Sequence, residues 1–141
     1  MSGGTYALFF SLPNGFSGRV GSLGELSLPP GRYCYAGSAM ASLDKRLGRH
    51  ANPSKTMRWH IDYVTVRADG FAALASPGGA VAECSIAAAA SEAGMTPAAR
   101  GFGCSDCKCQ THLFNVPDGS WETLARVAGL RPYPVPAPKG Y

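Results

Sequence analysis

Hydrophobic and polar positions change their period several times along the chain. Residues 5–12 form an aromatic and β-branched run between Gly3-Gly4 and Pro13-Asn14-Gly15, a pattern that predicts a strand. After the turn signal Pro29-Pro30-Gly31, residues 32–36 predict another strand, ended by Gly37-Ser38. The stretch between them, 18–28, reads as short strand or loop within a hairpin or meander. A helical period then takes over. Ser42 is placed to cap a helix over 43–50, in which Met40, Leu43 and Leu47 share one face at about 100° per residue. Arg46 and His50 fall on the edge of that apolar stripe, at the margin of the core, while Lys45 and Arg49 point into water. Residues 58–66 fit either a helix or a strand. As a strand they would put His60 and Asp62 on one face; as a helix the two would diverge. Residues 71–75 predict a weak strand and Pro77-Gly78-Gly79 a turn. A second helix is expected over 80–93, with Glu83, Ile86 and Ala90 on one face. A last strand over 111–116 and a last helix over 120–128, capped by Ser120, complete the series. Strands first, then helices mixed with short strands, predict a small single-domain α+β (α/β) fold: a central, mainly antiparallel three-stranded sheet flanked by helices.

Composition narrows this further. With 141 residues the chain suffices for one domain, and 45% hydrophobic against 16% charged residues excludes intrinsic disorder. We expect the domain over 1–131 and an extended, proline-rich tail outside the core over 132–141. Five cysteines make an odd count that does not read as a secreted disulfide framework. No Lys or Arg precedes the first apolar run, and that run is far too short to span a bilayer. The expectation is a cytoplasmic protein with no membrane partner. The net charge of +4 favours anionic partners. Lys45, Arg46, Arg49, Lys55 and Arg58 cluster with only Asp44 and Asp62 as nearby acids. That cluster reads as a nucleic-acid-binding surface (Lys45, Arg49, Lys55, Arg58) or as a solvated helix face.

Candidate chemistry lies in an ordered series. Gly4-Thr5-Tyr6 and Tyr35-Ala36-Gly37 each put a tyrosine beside glycine on a predicted strand, and the two segments can pair as antiparallel neighbours. Ser38 follows the second. Arg46 and His50 stand one turn apart on the first helix, and Glu83 opens the second. This succession resembles the GIY-YIG nuclease superfamily, with Glu83-Cys84-Ser85-Ile86 similar to its metal-binding Glu helix. Arg58-Trp59-His60-Ile61-Asp62-Tyr63 and Gly101-Phe102-Gly103-Cys104-Ser105-Asp106-Cys107 are similar to a branch sometimes attached to endonuclease III-type repair enzymes. The resemblance covers most of the chain, about residues 5–116. It implies a metal-dependent endonuclease acting on DNA, possible in repair or processing, with a repair enzyme as potential partner.

The chemistry of such an enzyme makes sense of these residue types. Phosphodiester hydrolysis needs an oxygen nucleophile in line, relief of charge on the phosphate, and help for the leaving oxygen. Arg46 offers a planar fork for phosphate oxygens. Glu83 offers one hard carboxylate to Mg²⁺ or Mn²⁺. Tyr6, Tyr35 or His50 would position or deprotonate water, and an ordinary histidine pKa suits His50 to proton handling. Ser38, His60, Asp62 and Asp106 are secondary candidates. The family usually closes its site with an Asn, for which Ser105 and Asp106 are the nearest polar residues here. Two other readings stand beside this one. The fold could bind nucleic acid without catalysis. Alternatively, Cys104, Cys107, Cys109 and His112 could fill a structural zinc site, although the single-residue gap between Cys107 and Cys109 is awkward for joint ligation.

Overall fold

In the computed structural model of the chain, residues 3–103 and 109–136 are described. Two long strands form the spine: β1 (Gly4–Leu12) and β4 (Gly31–Ala39), antiparallel with Tyr6 opposite Gly37 and Leu8 opposite Tyr35. On the other side of β1 lies β5 (Asp69–Pro77), also antiparallel. These three are the sheet expected from sequence, but it does not stop there. β7 (Leu113–Asn115) pairs with β4, β6 (Thr96–Pro97) pairs with β7, and β8 (Arg131–Tyr133) pairs with β5. The sheet therefore has six strands, in the order β6-β7-β4-β1-β5-β8, and every pairing among the described residues is antiparallel. The additions are two or three residues long, too short to leave an alternating pattern. A separate hairpin joins β2 (Phe16–Val20) to β3 (Gly24–Leu28), resolving the 18–28 stretch as strands.

Alternation along β1 divides the core into two layers. Tyr6, Leu8 and Phe10 pack on one face with Leu43, Leu47, Ile61 and Val64. Ala7 and Phe9 pack on the other with Ile86, Ala90 and Leu124. The first layer is covered by α1 (Leu43–Ala51), α2 (His60–Thr65) and the hairpin; the second by α3 (Glu83–Glu92) and α4 (Ser120–Ala128). Both sheet faces are thus buried by helices.

Ser42 caps α1 as expected: its hydroxyl accepts from the Lys45 N–H at 3.2 Å, an arrangement worth about 1 kcal/mol. At the far end, Lys55 Nζ donates to the carbonyls of Arg49 and His50, at 3.0 and 2.9 Å. Within 58–66, His60–Thr65 resolves as helix, so His60 and Asp62 diverge. The strand over 32–36 is longer than predicted, because Gly37 and Ser38 continue to pair with β1. Met40 does not join the apolar stripe of α1; it lies ahead of the cap and is 97% exposed. Ser120 is the first helical residue of α4 rather than its cap, and its hydroxyl donates to the Pro117 carbonyl. The proline-rich stretch begins inside the sheet: Pro132 lies opposite Leu74, and Tyr133 and Val135 pack on the core. The expected separation of residues from 132 onward therefore fails at least through Val135. No helix among the described residues is long and apolar enough to cross a membrane.

Candidate functional site

A polar cleft of about 400 Å³ opens at the end of β4, lined by Tyr35, Ser38, Arg46, His50, Trp59 and Glu83 among others. Four of the five side chains singled out by the sequence thus share one cavity. The fifth, Tyr6, lies directly behind it. Its phenol is 2.5 Å from His50 Nε2, and both residues are 1% exposed. Arg46 donates to the same phenol. Burial holds the Tyr6 hydroxyl well above its usual pKa, reinforced by the neighbouring Tyr35. Burial likewise pushes His50 down to about 3, with Lys55, Arg46 and Arg49 adding repulsion against the partial opposition of Asp62. His50 is therefore neutral at neutral pH, not the near-neutral proton handler its residue type suggested, and it is buried rather than half-exposed at the margin of the core.

The local sequence explains how the tyrosines fit. A Cβ on Gly37 would lie 2.6 Å from the Tyr6 hydroxyl oxygen, 2.7 Å from its Cζ and 2.9 Å from Tyr35 Cε2. Glycine opposite Tyr6 is thus a steric requirement: the phenol crosses where a side chain would stand. Arg46 is fixed from two sides, by a hydrogen bond from Nη1 to the Ser38 carbonyl at 2.9 Å and by the Trp59 ring, 4.3 Å from its guanidinium carbon. Glu83 arrives from the opposite layer. The Thr5 hydroxyl donates to the Val81 carbonyl, and Ser76 Oγ accepts from the Val81 N–H at 3.3 Å, so the ends of β1 and β5 set where α3 begins. Its carboxylate Oε1 is 2.9 Å from His112 Nδ1, and its side chain remains 30% exposed. Burial opposes its ionisation, but hydrogen bonds from His112 and Ser38, with Arg46 nearby, hold its pKa below the usual carboxylate value.

The secondary candidates separate. Ser38 and His60 line the cleft, where His60 Nδ1 accepts from the Gly103 N–H at 3.2 Å. Asp62 turns away from it and is fully buried. Its Oδ2 accepts from Arg49 at 2.7 Å and from the backbone N–H groups of Arg58 and Trp59 at 2.8 and 3.1 Å. Burial opposes its ionisation, yet these bonds lower its pKa. Asp106, Cys104 and Cys107 lie outside the described residues. Among the four expected nucleic-acid contacts, Lys45 and Arg58 are exposed. Arg49 is not in water as expected: it is half-buried against Asp62 and lies over Trp59. Lys55 is half-buried too, bonding Thr65 Oγ1 at 2.7 Å besides the two carbonyls of α1, and burial lowers its pKa to about 8. Both are committed to internal contacts.

Sequence reasoning passed over two residues. Trp59 lies against the guanidinium groups of Arg46 and Arg49, at 4.3 and 4.9 Å; its signal was an aromatic residue directly after Arg58 in a basic stretch. Cys84 groups with Cys109 and His112. Its only local signal was a thiol adjacent to Glu83.

Fold and site together define an α+β domain whose two-sided antiparallel sheet carries a tyrosine–arginine–histidine–glutamate cleft at one end. The chain belongs to the family described as domain of unknown function DUF123, whose model matches residues 5–129. No curated protein and no solved structure matches it.

Proposed function

We propose that the protein is a metal-dependent endonuclease of GIY-YIG type that hydrolyses DNA phosphodiester bonds. The observation that carries this reading is the meeting of Tyr35, Arg46, His50 and Glu83 in one cleft, from strands and helices in both layers. Arg46, oriented by Ser38 and Trp59, places its fork toward a phosphate in the cleft and neutralises its charge. Tyr35 is only partly buried and lines the cavity, so its hydroxyl can orient the attacking water. Tyr6, from behind, and His50, on the inner wall of the cleft, act as a positioning pair, since both stay neutral at neutral pH. The donor set fits a hard divalent cation. Mg²⁺ accepts one or two carboxylates while retaining waters, and the cleft leaves room for them beside Glu83. Such an ion, when bound, supplies positive charge to the phosphate and the leaving oxygen. The exposed Lys45 and Arg58 favour a polyanionic substrate.

The test is incubation of the full chain with plasmid, branched and single-stranded DNA in Mg²⁺ or Mn²⁺. Cleavage is expected, and Arg46→Ala and Glu83→Ala should each lower it by about 100-fold or more, the usual cost of removing a transition-state electrostatic contact. No cleavage of any substrate, or cleavage indifferent to both substitutions, overturns the reading. Salt-sensitive binding without product would assign the fold to a non-catalytic nucleic-acid-binding module.

A further inference from the structure

Behind the cleft, on the α3 side of the sheet, Cys84 Sγ, Cys109 Sγ and one ring nitrogen of His112 all lie within 4.8 Å of one another. We propose that these three side chains bind one divalent cation, zinc, at a position separate from any ion at the cleft carboxylate. This site goes beyond the nuclease reading and does not depend on it.

Several features of the surroundings support it. Cys84 Sγ is 4.0 Å from His112 Nε2. A tetrahedral zinc, with bonds near 2.3 Å to sulfur and 2.0–2.1 Å to nitrogen, places those atoms about 3.6 Å apart. That pair needs to contract by only a few tenths of an ångström, and the remaining separations lie within 4.8 Å. Cys84 is an exposed free thiol. The imidazole lies between the two groups. Its Nδ1 is 2.9 Å from Glu83 Oε1, and its Nε2 is on the Cys84 side. A carboxylate behind a metal-binding histidine fixes the tautomer and raises the basicity of the ligating nitrogen. Backbone bonds hold the same residue in place: the His112 N–H donates to the Phe102 carbonyl, and the His112 carbonyl accepts from the Ala36 N–H, both at 2.9 Å. Two thiolates and an imidazole are a soft donor set that selects zinc over magnesium. Among the described residues they leave a fourth position for water or an added ligand. A cavity of about 200 Å³ lined by Cys84, Cys109 and Thr111 reaches this side of the molecule.

Cys84 makes the proposal distinct from the cysteine set read from sequence, which did not include it. It is also exposed, so replacing it does not excavate the core. The experiment is elemental analysis of the full chain purified from zinc-supplemented medium, followed by Co²⁺ titration of the metal-free protein. About one zinc per chain is expected, together with a thiolate-to-cobalt charge-transfer band that saturates at about one equivalent. Cys84→Ser should remove stoichiometric zinc and about half of that band. Glu83→Gln should retain the band and weaken affinity by about 10–100-fold through the histidine. Circular dichroism of both variants checks that the fold persists. Absence of zinc with no cobalt band overturns the proposal. So does a Cys84→Ser variant that binds as tightly as the parent, or a Cys84–Cys109 disulfide found by mass spectrometry in the metal-free protein as purified.

Discussion

The wall of the cleft built by α1 and α2 keeps its polar groups buried against one another, whereas the wall reached by α3 and the segment before β7 carries a carboxylate and a thiol open to solvent. On the first wall His50 and Asp62 are almost fully enclosed, and Arg49 Nη2 and Lys55 Nζ donate to protein oxygens. On the second, Glu83 stays 30% exposed and Cys84 is exposed outright. The contrast separates two uses of polar side chains. Where charges are enclosed and paired, removing one leaves another without compensation, and the loss falls on stability. Where they stand in water, they can exchange partners, which a ligand site requires.

Asp62→Ala provides the largest test of that division. It deletes the acceptor of three hydrogen bonds and leaves the Arg49 guanidinium beside an apolar void. Breaking a buried pair from one side costs about 3–5 kcal/mol, and the same scale is expected here by urea denaturation. Asp62→Asn keeps an acceptor for the N–H groups and should cost clearly less. A loss below about 1 kcal/mol for the alanine variant would mean that this wall is not held by its ion pair.

The difference between the walls was only partly legible in the sequence. The turn signals around residues 5–12 and 32–36, and the cap before residue 43, were local chemistry, so the spine of the sheet and α1 could be read directly. Those elements fixed the order of Tyr6, Tyr35, Arg46 and His50. What stayed hidden was decided across space. A helical wheel put Arg49 in water because it contains no α2, and Asp62 was ambiguous until His60–Thr65 resolved as a helix. His50 looked like a titrating group because its residue type says nothing of the depth that lowers its pKa. The edge strands β6, β7 and β8 draw their stability from neighbours rather than from a pattern of their own. Cys84, 25 positions before Cys109, gave no spacing motif by which to join it to His112.

A pair of glycine substitutions sharpens the comparison at intermediate scale. In Gly37→Ala the new methyl would meet both tyrosine rings below 3.0 Å, in a part of the core already closed around Tyr6. Overpacking of this kind costs about 1–3 kcal/mol and should displace the Tyr6–His50 contact. Gly48→Ala is the control on the same layer. Gly48 lies within α1, and its Cβ would meet only the Pro136 side chain, at 3.6 Å. Helix propensity then predicts a gain of about 0.5–1 kcal/mol. Thermal melts that shift in opposite directions support the packing account. Equal shifts would show that the tyrosine side can move aside at no cost.

Mild acid probes the same wall without excavating it. His50 is neutral in the folded chain, with its pKa lowered from 6.5 to about 3, so between those values the unfolded chain binds more protons. Its contribution to stability is present in full above pH 6.5 and is lost as pH falls through that window. The groups facing it set the sign. Tyr6 and Tyr35 stand against the ring, Lys55, Arg46 and Arg49 repel a proton there, and the Asp62 carboxylate attracts one without prevailing. The slope cannot exceed about 1.4 kcal/mol per pH unit for one group, and lowering pH from 7 to 5 should cost about 1–2 kcal/mol. Asp62 adds to the loss only nearer pH 4 and below, since its folded pKa lies under the ordinary carboxylate value of 3.8. His50→Gln retains a neutral partner for the Tyr6 hydroxyl but does not titrate. Its stability between pH 5 and 7 should therefore vary less than the parent's by that same amount, with His60 and His112 unchanged in both proteins. Parallel pH profiles for the two proteins, measured by denaturant unfolding, would mean that His50 takes up its proton in the folded state and that the enclosed wall admits water.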